Sequence, residues 1–167
     1  MRDWQVYSRK QWINAVNYAA LLGYFAVVGV PSILNANPGG IPGGAILGIP
    51  FALLCCWVFG APVLKRLMRR EISWFSAAYW GAAIASVMAF LSIVVGRYGG
   101  WRQSNNPHFN SRIGGDGCVR SIDGILTPYG WQVLAQNTLT FILTGAVIAI
   151  MVKWLVGEPA SLRQKQT

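Results

Sequence analysis

Apolar and polar positions in this chain alternate in long blocks rather than residue by residue. Four long apolar stretches are separated by polar segments, and together they hold one charged residue, Lys153, near the end of the last stretch. A helix that crosses a bilayer needs about 20 apolar residues, and a charge at its centre is costly. The pattern therefore predicts four transmembrane helices, approximately at residues 14–34, 41–64, 73–95 and 131–156.

The composition supports this fold class. Hydrophobic residues make up 54% of the 167 positions and charged residues 11%, against about 25% charged in soluble domains. We expect an all-α polytopic membrane protein in which residues 1–167 form a single four-helix transmembrane bundle. The largest segment outside the predicted helices is a loop of about 35 residues, 96–130, between the third and fourth helices.

The basic residues give an orientation. Ten of them precede the first predicted helix, follow the second or close the chain: Arg2, Arg9, Lys10, Lys65, Arg66, Arg69, Arg70, Lys153, Arg163 and Lys165. Lys and Arg accumulate on the cytoplasmic side of membrane proteins, which predicts N-in/C-in topology with loop 96–130 outside. The net charge of +9 is then an orientation signal, and we expect no nucleic-acid partner. The expected location is a cell membrane, the bacterial inner membrane, with the first apolar stretch kept as a helix because it exceeds the usual signal-peptide length.

Small residues recur every four positions in the second and third predicted helices. The two stripes are Gly44, Gly48, Ala52, Cys56 and Gly60, and Ser73, Ala77, Gly81, Ala85 and Ala89. Helices in lipid associate through close backbone approach rather than through hydrophobic drive. The stripes predict that these two helices pack together as an antiparallel hairpin, and contacts between copies in a homo-oligomer are the alternative.

The fourth predicted helix carries a polar face at spacings of four, formed by Gln132, Gln136, Thr140 and Thr144. Polar groups in a membrane should face protein or water, so we expect interhelical hydrogen bonds in the bundle. A face that binds a partner or lines a solute path is the alternative.

Glycine and proline are concentrated in residues 35–44, between the first two helices. They predict a tight turn, with a re-entrant segment that lines a pore as the alternative. Pro50, inside the second helix, predicts a kink.

The residue inventory argues against several membrane chemistries. The single histidine, His108, excludes bis-histidine haem ligation, and the predicted helices contain no acidic or histidine side chain for proton coupling. Size and topology resemble those of the disulfide-bond quinone oxidoreductases, but Cys55 and Cys56 lie within a helix and Cys118 stands alone outside, so the exposed cysteine pairs of that chemistry are missing. We predict no catalytic residue, no metal site and no cofactor. Cys118 is left as an unpaired thiol or an intermolecular bridge.

Loop 96–130 mixes arginine with aromatic residues, the types enriched at binding hot spots. The candidate partner residues are Trp101, Arg102, Phe109, Arg112 and Arg120. Apolar residues at 119, 122, 125 and 126 predict a short amphipathic helix over residues 118–129. His108, Asp116 and Asp123 match no metal-ligand spacing.

These observations favour a non-catalytic accessory or interaction subunit that lies in the lipid bilayer and binds a membrane-protein partner or copies of itself. An immunity-type protein is one form of such a subunit. The alternative is an oligomeric facilitative channel or carrier for a small solute or lipid, lined by the polar face of the fourth helix. An enzyme acting at the outer face ranks last, because no nucleophile, base and orienting group can be placed together.

Overall fold

A computed structural model describes residues 6–34, 40–115 and 117–159, and these are mostly helical. Four helical segments in them are long and apolar enough to cross a membrane: Arg9–Ile33, Gly44–Leu67, Trp74–Ser104 and Pro128–Val156. The large apolar side chains on these segments are mostly exposed, as expected for helices that face lipid tails rather than water. The predicted number of such helices is confirmed.

The first two long helices each contain one wider π-helical turn. The first runs as α1 (Arg9–Tyr24), a π turn (Phe25–Gly29) and α2 (Val30–Leu34). The second runs as α3 (Gly40–Cys55), a π turn (Cys56–Gly60) and α4 (Ala61–Leu67), with Pro50 inside α3. Half of the predicted turn at residues 35–44 falls on 35–39, which lie outside the described residues, and the other half, 40–44, is the start of α3 rather than a turn.

The other two long helices are α5 (Trp74–Ser104) and α6 (Pro128–Val156). Between them lie three short strands, β1 (Arg112–Gly115), β2 (Cys118–Ile122) and β3 (Ile125–Leu126), in an antiparallel sheet of order β1-β2-β3. The prediction of a helix over residues 118–129 is therefore wrong. Asp123 and Gly124 both have positive φ, 48° and 85°, between the paired residues Ile122 and Ile125, which is the type I′ turn that joins two strands in a hairpin.

The chain divides into two compact units, one formed by residues up to 81 together with those from 146 onward, the other by residues 82–145. The first unit has a core of Tyr7, Ala15, Met68 and Val152. Ser8 caps α1 by accepting from the Gln11 amide at 3.2 Å, while the Gln11 side-chain oxygen accepts from the Ser8 amide at 2.9 Å. This capping box fixes the start of the first helix.

Indole groups join the first two helices within the same unit. Trp12 Nε1 donates to the Ala61 carbonyl at 3.2 Å, and Trp57 Nε1 donates to Asn17 Oδ1 at 3.2 Å. The two rings meet edge to face with their centroids 5.5 Å apart. These bonds provide partners for polar groups that would otherwise be desolvated in a membrane.

Candidate interaction surface

The sheet in the second unit is held on α5 by a contact between two glycines. Gly100 is buried, and a Cβ atom added there would overlap the carbonyl oxygen of Gly124 in the β2–β3 turn. A Cβ atom at Gly124 would in turn overlap the carbonyl oxygen of Gly100. The approach of backbone to backbone therefore requires glycine on both sides.

The first turn of α6 holds the sheet from another direction. The Thr127 hydroxyl donates to the Val119 carbonyl at 2.7 Å and accepts from the Gly130 amide at 3.1 Å. The Thr127 amide also donates to the Arg120 carbonyl at 3.0 Å. Threonine followed by proline is a favourable start for a helix, because the hydroxyl caps a free amide and Pro128 has no amide to satisfy. One residue thus caps α6 and ties it to β2.

Gly130 allows this close approach. A Cβ atom at position 130 would overlap the carbonyl oxygen of Arg120, and Gly130 is buried. The sheet therefore touches α5 through Gly124 and α6 through Arg120, with glycine at each helix.

Asp123 forms two hydrogen bonds with the residue that precedes β1. Its Oδ1 atom accepts from the Ser111 amide at 2.9 Å, and its own amide donates to the Ser111 carbonyl at 2.7 Å. The carboxylate is engaged by a backbone donor inside the hairpin, which gives it a structural role. Among the described residues, no group of three or more His, Cys, Asp or Glu side chains is placed to hold a metal ion.

One face of the sheet combines isoleucine with arginine. Val119 and Ser121 of β2 are half-buried and buried, whereas Arg120 and Ile122 are exposed. Arg120 lies at a β-bulge, because Ile113 pairs with Ser121 and Gly114 pairs with Val119, so Arg120 has no partner in β1. Arg112 and Ile125 are the cross-strand partners of Ile122, so they lie on the same face. Ile122 and Ile125 are 47% and 50% exposed. We call these three residues, together with the exposed Arg120 of the bulge, the Ile–Arg face: Arg112, Arg120, Ile122 and Ile125.

The structure distributes the five predicted partner residues over three places. Arg112 is the cross-strand partner of Ile122, and Arg120 lies in the bulge of β2. Trp101 and Arg102 lie in the last turn of α5 and are exposed, with the Trp101 ring centroid 6.0 Å from that of Tyr98. Phe109 is half-buried in the segment before β1.

The polar face of the fourth helix divides into two kinds of side chain. The Thr140 hydroxyl donates to the Gln136 carbonyl at 3.0 Å, and the Thr144 hydroxyl donates to the Thr140 carbonyl at 2.8 Å. These bonds stay within α6, so neither threonine needs a neighbouring helix for its proton. Gln132 and Gln136 are exposed and remain the candidate groups for a partner or a solute.

Two residues of the first stripe of small residues, Gly44 and Gly48, lie against the first helix. A Cβ atom at Gly48 would lie 2.7 Å from the Tyr24 ring, and one at Gly44 would lie 3.1 Å from Val28. At these two positions the groove therefore receives side chains of the first helix, whereas the sequence predicted the third. A tyrosine ring fits there because glycine leaves room for it.

For the remaining small residues of the two stripes, a role in helix packing stays a prediction. Ala52, Cys56 and Gly60 are half-buried, as is Gly81, while Ser73 is exposed; Ala77, Ala85 and Ala89 are buried. The three cysteines are free thiols, with Cys118 exposed at the start of β2. An intermolecular bridge through Cys118 stays a prediction.

The signal that predicts the sheet is present in the sequence. Asp-Gly occurs twice, at 116–117 and at 123–124, and the second pair stands between isoleucines. Asp-Gly between apolar residues is a strong local signal for a hairpin. Comparison with protein-family models, with curated proteins and with solved structures gave no match for this chain. Its function must therefore be argued from its own residues.

Proposed function

We propose that this protein is a non-catalytic subunit of a membrane assembly, with both termini in the cytoplasm, that binds a partner protein through the Ile–Arg face outside the membrane. The observation that carries the proposal is a sheet anchored by glycine contacts and by the Thr127 cap, with two exposed isoleucines beside two arginines. An immunity-type protein, which neutralises a membrane-acting toxin, is one form of this function.

The anchoring of the sheet supports a binding role. Short hairpins are only marginally stable in water by themselves, whereas this sheet is held at Gly100, Thr127 and Gly130. A surface that is ordered before binding loses less conformational entropy when a partner docks. Exposed apolar side chains on such a surface are then available as contacts at little ordering cost.

The charge of the face indicates the kind of partner. Arg112 and Arg120 are exposed, and the described acidic side chain nearest in sequence, Asp123, accepts a hydrogen bond from Ser111. Arginine is enriched at binding hot spots and forms strong bidentate pairs with carboxylates. The expected partner surface has an apolar centre with acidic residues around it.

Charge reversal tests the binding role. The full-length protein, tagged at its carboxyl end, is extracted from its native membranes in mild detergent, and the size of its complexes is measured. Arg112→Glu with Arg120→Glu should shift the protein from the assembly to the free form. Arg102→Glu should leave the assembly intact, because Arg102, although predicted from the sequence as a partner residue, is an exposed arginine on α5 outside the face. An assembly that survives the double substitution would refute the proposal.

The orientation has a separate test. Cys118 is an exposed free thiol near the Ile–Arg face, whereas Cys55 and Cys56 belong to the second long helix. A membrane-impermeant maleimide should label Cys118 in cells whose inner membrane is intact, and Cys118→Ser should abolish that labelling. Labelling that appears only after the inner membrane is opened would place the sheet in the cytoplasm.

A second function, an oligomeric facilitative channel or carrier, is favoured by one observation. Gln132 and Gln136 are exposed on a helix apolar enough to cross a membrane, and such groups tend to face protein or water. Solute flux through purified protein in liposomes that falls with Gln136→Leu would support this function. Permeability no higher than that of liposomes without the protein would count against this function.

A further inference from the structure

A cavity of about 330 Å³ lies in the first unit. Three separate segments line it: the residues before α1, the connection between α4 and α5, and the end of α6 with the residues after it. The lining side chains that matter here are Tyr7, Glu71, Trp74, Lys153, Trp154 and Glu158.

Hydrogen bonds hold the cavity walls together. The Ile72 amide donates to the Tyr7 hydroxyl at 3.5 Å, which joins two of the segments. Gln11 Nε2 donates to the Glu158 carbonyl at 2.8 Å and to the Val156 carbonyl at 3.3 Å, which fixes the third segment on the first helix. Tyr7 is also part of the buried core of this unit. The three segments that line the cavity are therefore held in place by hydrogen bonds and by the core of this unit.

The cavity lies at the ends of two membrane-crossing helices. Trp74 is the first residue of α5, and Lys153 is in the last turn of α6. Tryptophan and lysine are typical of the boundary between hydrocarbon and headgroups. Trp74 and Trp154 are 51% and 71% exposed, so lipid can reach both rings. A ligand in this cavity would lie at the depth of a phospholipid headgroup.

The charges in the cavity are of both signs. Lys153 supplies an ammonium group, with Nζ 4.2 Å from the centre of the Trp74 ring. Glu71 and Glu158, both exposed, supply two carboxylates. This arrangement suits a ligand that carries a phosphate beside an ammonium, because each group meets the opposite charge. The excess of carboxylate disfavours a ligand with negative charge alone.

We propose that this cavity binds the phosphoethanolamine group of an aminophospholipid. The ligand ammonium pairs with Glu71 and Glu158, the phosphate pairs with Lys153, and the acyl chains run along the exposed apolar surface. The volume is near the lower end of the range for ligand pockets, about 300–1,000 Å³, which suits a headgroup. A choline group is disfavoured, since it has no N–H to donate to the two carboxylates.

Lipid retention by the full-length protein tests the site. The delipidated protein in detergent is titrated with phosphatidylethanolamine, phosphatidylcholine or phosphatidylglycerol, and the bound lipid is counted by native mass spectrometry. We expect phosphatidylethanolamine to bind about tenfold more tightly than the other two, because its ammonium donates charge-assisted hydrogen bonds. Equal binding of the three lipids, or a preference for phosphatidylglycerol, would overturn the proposal.

Variants of nearly unchanged shape locate the binding. Glu71→Gln with Glu158→Gln should reduce phosphatidylethanolamine binding to the phosphatidylcholine level. Lys153→Gln should weaken phosphatidylethanolamine binding, whereas Lys65→Gln should leave it unchanged. Lys65 is a suitable control because it also lies near a tryptophan, with Nζ 6.0 Å from the centre of the Trp12 ring, but does not line the cavity. Thermal unfolding without lipid checks that each variant is folded. Folded variants that retain the wild-type preference would refute the assignment.

The source of the headgroup is tested separately. If the ligand is a lipid, free phosphoethanolamine should displace phosphatidylethanolamine only weakly, because it lacks the acyl chains. Displacement by equimolar free phosphoethanolamine would overturn the lipid assignment. The outcome is independent of the Ile–Arg face, which belongs to the other unit.

Discussion

Replacing Gly100 with alanine tests whether the sheet is anchored on α5. The new Cβ atom would overlap the carbonyl oxygen of Gly124, so either the helix or the turn must move. Gly99, the preceding residue of the same helix, provides the control, because a Cβ atom there meets nothing within 4 Å. The two substitutions are chemically identical and differ in one contact.

The magnitude follows from two opposing terms. Alanine is better than glycine in a helix interior by about 0.5–1 kcal/mol where there is room for it. Forcing extra atoms into a packed contact costs about 1–3 kcal/mol. The midpoints of these two ranges give a net loss of about 1.3 kcal/mol for Gly100→Ala, while Gly99→Ala should be neutral or stabilising by up to about 1 kcal/mol.

Hydrogen exchange measures this difference at the sheet. Two amides report on it: that of Asp123, which donates to the Ser111 carbonyl, and that of Thr127, which donates to the Arg120 carbonyl. A loss of about 1.4 kcal/mol makes exchange about tenfold faster when the open state recloses faster than it exchanges. We expect that acceleration in Gly100→Ala and wild-type rates or slower in Gly99→Ala. Equal rates in the two variants would show that the glycine contact does not hold the sheet.

Three further predictions concern stability in detergent. Burial raises the pKa of the Tyr7 hydroxyl above its ordinary value near 10, the charge of Glu71 adds to the rise, and the hydrogen bond from the Ile72 amide offsets part of it. The stability linked to Tyr7 is fully present below about pH 10 and is lost as the pH rises through the pKa of Tyr7 in the folded protein. Tyr7→Phe should therefore lose less thermal stability than wild type at alkaline pH. Parallel plots of unfolding temperature against pH for the two proteins would exclude this role. Thr127→Ala should cost about 1–2 kcal/mol through loss of the helix cap, against less than about 0.5 kcal/mol for Thr140→Ala, and equal unfolding midpoints would contradict this. Gly48→Ala should cost about 1–2 kcal/mol through its contact with a tyrosine ring, whereas Gly23→Ala, with nothing within 4 Å of the added Cβ, should not; a stabilised Gly48→Ala protein would show that the groove is open.

The four long helices could be predicted because a bilayer imposes a length and an apolar composition that need no knowledge of tertiary contacts. Their neighbours could not be predicted in the same way. Repeated glycines show that a helix offers a groove, but not which side chain fills it, and the Tyr24 ring takes the place beside Gly48. Periodicity is a property of one helix, whereas packing depends on the shapes of two.

The sheet shows how one pattern can mislead. Apolar residues at 119, 122, 125 and 126 have spacings close to those of a helix, yet positions 123 and 124 are the Asp-Gly pair of a hairpin turn. Turn chemistry overrides periodicity here, because Gly124 takes a positive φ that a helix interior does not use. The position of Arg112 beside Ile122 follows from strand register, which becomes apparent only once the hairpin is recognised.

The cavity lined by Glu71, Lys153 and Glu158 could be anticipated only in part. Lys153 stands out as the charged residue within the predicted helices, and tryptophans near helix ends indicate a membrane boundary. Glu71 and Glu158 are far from each other in sequence, so their shared cavity depends on how three segments converge. That convergence depends on the hydrogen bonds of Gln11 and Tyr7.

The Thr127 hydroxyl couples the orientation of the sheet to that of α6. It belongs at once to the hydrogen bonding of β2 and to the first turn of α6, so neither element can tilt without straining the other. A force that displaces the strands would therefore also act on the first turn of α6.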